Sequence, residues 1–375
     1  MHYLTLVAVD IPEVKEEPEV DAAIKSAIEE LKEKFFDEEN DRMSSVQRDF
    51  QIERLTARTN AFARAVIEAV SEVMEPYNQN TEDRDYLEFF DMTDELEDEY
   101  QTGCVEMVRL PEGKYVFPYS RPFSDRYIVS EGKVLERNAG PCKHAMRTKR
   151  AKKMQVINRP FRKIYSSVKE YAEEHCGYVC RKARHRYGYY YNPDAFWDGY
   201  QIGGGWAYEL LVKADCKDFS LGERYVNHNV PSAPAGYMWA SAARKKDIAW
   251  DVMKDWNKHQ ELELFSMLEK AYTERKLPEV FFGNFTDNGI ASFGNMLYIC
   301  GETAEEYLKR KHIGDAKYYL RPYGFLDCDG WHAYSDFIHN IDCPGENAEE
   351  WDRQFDAFLE NAGDDTVIVI ADIHS

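Results

Sequence analysis

The sequence predicts an α+β fold: a mixed or antiparallel central sheet that contains both the N-terminal and the C-terminal strands, helices packed on it, and a long helical insertion near the N-terminus. Three observations point there. His2–Val9 alternates and is rich in β-formers. Residues 366–373, TVIVIADI, form an almost unbroken β-branched and apolar run, the signature of an interior strand rather than an edge. Between these ends, apolar residues recur repeatedly at helical spacing.

In chain order, the first strand gives way to a turn around Pro12 and Pro18. Val20, Ile24, Ile28 and Leu31 then mark a first helix, and Val46, Phe50, Leu55, Phe62, Val66, Val70 and Val73 a second that stops before Pro76. Residues 37–45 separate the two, and 13–75 together form the predicted helical insertion. Residues 81–99 are too acidic for much core and read as a surface loop with a short helix. The stretches 105–109, 115–119, 127–129 and 133–135 read as a meander joined by PEGK and SEGK turns. A basic helical insertion spans 143–186, with a helix at 160–175 carrying Phe161, Ile164, Val168 and Tyr171 on its apolar face and Pro160 in its first turn. Further strands are expected at 206–212, 279–285, 295–300 and 317–326. Helices are expected at 242–276, 304–311 and 346–360, the last with Trp351, Phe355 and Phe358 on one face. With no internal repeat and no low-complexity linker, 1–375 reads as a single large domain.

Charge is unevenly spread over the 375 residues. The net charge is −21, yet residues 1–106 carry 29 Asp+Glu against 10 Lys+Arg while 143–190 carry 14 Lys+Arg against 3 acidic residues. The overall negative field disfavours non-specific contact with nucleic acid or anionic membrane, so a phosphate-bearing partner would be met only locally, through 143–190, where interleaved aromatics could stack bases. Mutual neutralisation of the acidic and basic stretches explains the same pattern. No run of about 18 apolar residues and no leader with a cleavage site is evident, so the expectation is a cytoplasmic protein without a membrane span. The eight cysteines are scattered rather than concentrated, which predicts reduced and mostly buried thiols.

Three stretches could carry chemistry. In 189–206, YYYNPDAFWDGYQIGGGW, three glycines between aromatic clusters permit positive φ and close backbone approach, with Trp197, Tyr200 and Trp206 as flat faces of a ligand shelf beside Asn192, Gly203 and Gly204. The alternative is a tight turn packing its own aromatics into the core. In the terminal strand, Asp372 and His374 share a face by alternation, a carboxylate and an imidazole suited to acid/base work or to metal ligation; a frayed end is the bland alternative. Third, 326–332, LDCDGWH, delivers His332 onto a strand, and with Asp198 it completes the candidate catalytic set Asp198, His332, Asp372 and His374. Cys328, His332, His339 and Cys343, and separately Cys142, His144, His175, Cys176, Cys180 and His185, depart from familiar zinc spacings, so no metal site is assigned. Neither G-x-G-x-x-G nor a P-loop is present, and there is no nucleophile elbow, kinase set or H-E-x-x-H helix; no motif names a cofactor.

The stretch Asn192, Pro193, Ala195, Trp197, Asp198, Tyr200, Ile202, Gly203, Gly204 and Trp206 resembles a motif, N-P-x-A-x-W-D-x-Y-x-I-G-G-R-W, of a protein family found in phages and mobile elements of gut-type bacteria. An earlier Pro76-Tyr77-Asn78-Gln79-Asn80, a later Asp329-Gly330-Trp331-His332 and the Asp372, His374 ending extend the resemblance patchily over 76–375. Gly205 stands where the family has arginine, and Ser375 where it tends to an apolar residue. The resemblance implies a phage-associated setting, hence an accessory protein that binds a host protein, as a defence system would supply, or a nucleotide-like ligand. The residues leave two other readings open: a hydrolase of nucleotides or RNA built on the Asp/His set, and a purely structural or interaction protein.

Overall fold

The computed structural model describes residues 2–33, 45–137, 145–181, 185–207, 209–224, 232–278, 282–292, 295–311, 320, 322–334 and 344–374. His339 and Cys343, Cys142 and His144, and parts of the strands expected at 279–285 and 317–326 lie outside these residues. The chain divides into two compact units, Met1–Asn80 with Asp194–Ser375, and Thr81–Pro193.

The first unit is built round the terminal strand, Val367–His374. It pairs antiparallel with His2–Val9 over the full length of both, from His2 opposite His374 to Val9 opposite Val367. Its other edge is shared end to end by two short strands, Gly199–Gly204 beside residues 371–374 and Ala242–Arg244 beside 367–369. The first strand in turn pairs parallel with Gly324–Asp327, which forms a hairpin with Gly330–Ala333. The sheet is therefore mixed and holds both predicted terminal strands, and the fold is α+β.

Both faces of the terminal strand are covered, which accounts for its unbroken apolar run. Ile368 and Ile370 point, with Leu6 and Phe325, into one core closed by Trp351, Phe355, Phe358 and Leu359 of the helix Pro344–Asn361 and by Met253 of the helix Trp250–Glu274. Val367, Val369, Ala371 and Ile373 point the other way, onto Phe62, Val66, Val70 and Met74 of the helix Ala61–Met74. That helix starts at an Asn60 cap, whose side chain accepts from the Ala63 N–H at 2.7 Å. Of the three described helices in the stretch expected as an insertion, Pro18–Glu33, Ser45–Thr56 and Ala61–Met74, the third is a layer of the core itself. A satellite core forms where Phe265 and Leu268 of the long helix meet Ile290, Tyr298 and Tyr307.

The second unit has two cores of its own, one around Phe161, Tyr165 and Tyr171 with Leu96 and Tyr100, the other around Val108, Phe123, Tyr127 and Met154. The stretches expected as one meander separate into two sheets, Cys104–Arg109 pairing with Tyr115–Val116 and Gln155–Pro160, and Tyr127–Ser130 pairing with Lys133–Glu136. The helix expected at 160–175 within the basic insertion is broken, and the 143–186 stretch is mixed rather than helical. A strand ends at Pro160, and Ser167 caps a new short helical start by accepting from the Glu170 N–H at 3.1 Å, while Glu170 accepts from the Ser166 N–H at 2.6 Å. Adjacent serines offer these local hydrogen bonds in place of a continuous helix.

Of the six described cysteines, none is disulfide-bonded and none is buried; Cys104, Cys300 and Cys328 are exposed, against the expectation of buried thiols. No described helix is long and apolar enough to cross a membrane.

Because Ile370 is fully buried in the core with Phe355, Phe358 and Leu359, truncating it leaves a cavity there. Ile370→Ala is expected to lower unfolding free energy by about 2–5 kcal/mol in chemical denaturation, whereas Val46→Ala, at a 66% exposed position, should change it by less than about 0.5 kcal/mol.

Candidate functional site

Polar residues appear abruptly at one end of the central strand pair. Strand alternation carries Asp372 and His374 onto the same face as Ile368 and Ile370, and carries His2 onto the face of Leu4 and Leu6. Register then sets His2 opposite His374, and Asp372 opposite both Leu4 and Gln201. Two imidazole–carboxylate pairs result. His2 Nδ1 lies 3.1 Å from Asp372 Oδ1, and His374 Nδ1 lies 2.5 Å from Asp198 Oδ1. The two rings are 5.2 Å apart between centroids.

The Asp372 side chain is completely buried. An ionised carboxylate in that position is costly unless hydrogen-bonded, and the glycine stretch supplies the partner: the Gly205 N–H donates to Asp372 Oδ2 at 2.8 Å. Gly203 and Gly204 reach that geometry through φ of 88° and 56°. A Cβ on Gly204 would fall 2.5 Å from Asp372 Oδ2, so the position excludes every side chain. The turn closes with the Trp206 N–H donating to the Gly203 carbonyl at 2.9 Å.

Beside this clamp lies a recess of about 380 Å³ lined by His2, Tyr3, Leu4, Trp206, Pro322, Tyr323, Tyr334, Trp351 and Asp352. Trp206 is 38% exposed there, a large aromatic surface facing an open space.

The candidate residues of the sequence separate accordingly. Asp198, Asp372 and His374 come together, and Gly203, Gly204 and Trp206 form the adjoining turn. His332 does not join them. It sits on the edge strand Gly330–Ala333, stacked on Phe325 at 4.5 Å with Nε2 3.4 Å from Asp327 Oδ1. Two strands separate it from the terminal strand, a lateral distance of roughly 14 Å. Trp197 and Tyr200 are not part of the recess either. Trp197 Nε1 donates to the Met74 carbonyl at 3.1 Å, its ring meets Tyr200 edge-on, and both belong to the core under the helix Ala61–Met74. The strand Gly199–Gly204, hidden in the sequence by its glycines, sends Tyr200 and Ile202 to that opposite face. Asn192 lies in the second unit. Sequence reading missed His2, whose signal was available: pairing the two terminal strands antiparallel brings it opposite His374.

Among the described residues no group of three His, Cys, Asp or Glu is arranged to hold a metal ion. A second, larger recess of about 610 Å³ holds Cys216, but burial, aided by Asp247, Asp218 and Asp215, pushes that thiol up to about 11, away from nucleophile chemistry. Just past the glycine turn, burial raises the Glu209 carboxyl to about 7. Comparison with family models, with curated proteins and with solved structures returned no match.

Two outcomes follow from these contacts. Gly204→Ala should lose at least about 2 kcal/mol of stability, since left-handed φ and the collision with Asp372 act together. Gly199→Ala, with open space around its Cβ position, serves as the control and should lose under about 1 kcal/mol in the same denaturation assay. For Glu209 the folded state holds the proton more tightly than the unfolded chain, so its contribution is full below about 4.5, falls as pH rises, and is lost above about 7. Glu209→Gln should therefore match the wild type near pH 4.5 and exceed it by roughly 2–3 kcal/mol at pH 8; equal stability at both pH values would refute the assignment.

Proposed function

We propose that the first unit binds a small planar ligand, the nucleobase or nucleoside part of a nucleotide-like molecule, in the recess beside the His2–Asp372 pair. The observation that supports this most directly is the buried Asp372, clamped from both sides so that it orients one imidazole at the edge of an aromatic pocket. Its volume lies within the range of small-molecule sites, and flat walls from Trp206, Tyr323, Tyr334 and Trp351 suit a ring. Asp352 at the rim, with Asp198 and Asp372 nearby, disfavours a phosphate inside, so a neutral or cationic ring fits better than a nucleotide's anionic end. The resemblance of 192–206 motivates a phage or mobile-element accessory role, with a host or phage protein as further partner.

The second pair favours a further reading. His374 with Asp198 beside His2 with Asp372 provides two imidazoles, each with a carboxylate, that could act as acid and base in a hydrolysis of nucleotides or RNA. Incubation with nucleosides, nucleotides and short RNA, followed by chromatography, separates the two. Products that disappear in His374→Ala and Asp198→Asn support the hydrolase; ligand recovered intact leaves binding alone.

For binding itself, calorimetry with a panel of free nucleobases and nucleosides should detect a ligand in the micromolar to millimolar range. Trp206→Ala and His2→Ala should each weaken it about tenfold or more, the loss of one aromatic wall or of one hydrogen bond at the pocket's edge. The proposal fails if no panel member binds at 1 mM, or if both variants bind like the wild type.

A further inference from the structure

The second unit contains a small antiparallel sheet, Glu88–Asp91, Arg186–Tyr191 and Val179–Arg181, in that the middle strand pairs with both others. Register divides its side chains cleanly. Phe90, Tyr189 and Tyr191 share one face with Tyr187, which packs with Tyr178 against the core of Leu96 and Tyr100. The acidic helix Thr93–Thr102, which carries those two residues, packs on the Tyr187 end of that side, while Phe90, Tyr189 and Tyr191 stay 44%, 40% and 36% exposed. Phe89, Tyr190, Val179, Arg181 and Arg186 share the other face.

Among the described residues none of the buried cores includes Phe89, Tyr190 or Val179, and Phe89 is half-buried. Tyr190 and Val179 are each 45% exposed. Gly188, in the middle of the face, is required by the backbone: a Cβ there would fall 1.9 Å from the Phe90 carbonyl and 3.0 Å from the Phe89 ring. The flat floor therefore carries two aromatic rings, Phe89 and Tyr190, in edge contact at 5.3 Å. The Arg181 guanidinium lies 4.7 Å from the centre of Phe89 and 5.6 Å from that of Tyr190, and its Nε donates to the Tyr190 hydroxyl at 3.3 Å. Arg181 and Arg186 lie on this face with Asp91, and Arg186 is paired with Asp91 at 3.5 Å and with Asp94 of the acidic helix at 4.0 Å.

We propose that this face is a stacking platform for single-stranded nucleic acid. Exposed rings accept bases of any identity through their π-faces, and guanidinium groups at the ring edge meet the backbone phosphates. Two features on the page select this occupant over an apolar protein surface. The face combines two arginines with two aromatic rings and one aliphatic residue, Val179, and two of its three strands, Val179–Arg181 and Arg186–Tyr191, come almost wholly from the 143–190 segment, in which 14 basic residues oppose 3 acidic ones, while Phe89 and Asp91 come from the acidic first stretch. Binding is thus local and depends on salt, because the remainder of the chain repels a polyanion.

The test uses the full chain and fluorescein-labelled 20-mers of oligo(dT) and oligo(rU), with anisotropy read at 50 and 200 mM salt. Wild type is expected to bind at micromolar concentrations at low salt and to weaken steeply at 200 mM. Tyr190→Ala and Phe89→Ala should each weaken binding by about five- to a hundredfold. Arg181→Glu, at an exposed position, should abolish binding without altering the circular dichroism spectrum, which separates loss of the surface from loss of fold. Equal binding of the two oligomers assigns the shared base-and-phosphate chemistry, and a preference for oligo(rU) assigns RNA; either supports the platform. No binding of either at 50 mM salt, or binding that survives Arg181→Glu and the Tyr190→Ala, Phe89→Ala double variant, overturns it.

Discussion

A single buried carboxylate organises the functional end of the first unit. Asp372 interrupts a strand whose other described residues up to Ile373 are aliphatic and fully buried, and such a group remains there only if its oxygens are satisfied. One oxygen takes the backbone N–H of Gly205 and the other faces the His2 ring. Three constraints follow from that requirement. The glycine stretch must turn left-handed at Gly204, the first strand must begin with an imidazole in register, and Trp206 is carried by the same turn to the edge of the recess.

The hydrophobic pattern made the sheet legible because burial on two faces leaves a strand little choice of composition. The terminal strand was readable from its β-branched run and the first strand from its alternation, and the helix Pro344–Asn361 from its aromatic stripe. Short strands escaped detection where their residues serve other ends. Gly199–Gly204 has weak strand propensity because half of its residues are glycine, two of which, Gly203 and Gly204, are crowded by Ser241 and Asp372. In the second unit, aromatic spacing at 160–175 resembled a helix face, but Phe161, Tyr165, Tyr171 and His175 gather round one core from separate turns.

Site residues were legible in part for the same reason. Alternation alone places Asp372 and His374 together, a local inference over two residues. Trp197 and Tyr200 looked equivalent to Trp206 in sequence, yet side-chain direction in the strand Gly199–Gly204 sends Tyr200 beneath the sheet, and the Met74 carbonyl captures the Trp197 indole. His332 shows the converse limit. Its neighbours in sequence suggested chemistry, while its place on an edge strand gives it Phe325 as a stacking partner. What a linear pattern omits is which strand lies beside which.

The pairing of His2–Val9 with Val367–His374 also bears on how the chain acquires its shape. His2 and Asp372 are 370 positions apart, and closing a loop of that length costs roughly 5 kcal/mol of chain entropy before any contact rewards it. During synthesis the first strand must wait for its antiparallel neighbour, with an aliphatic ladder unsatisfied on that side. A polypeptide so arranged gains from early folding of its local helical pieces and is vulnerable in the interval, when a chaperone would find the amino-terminal segment still unpaired.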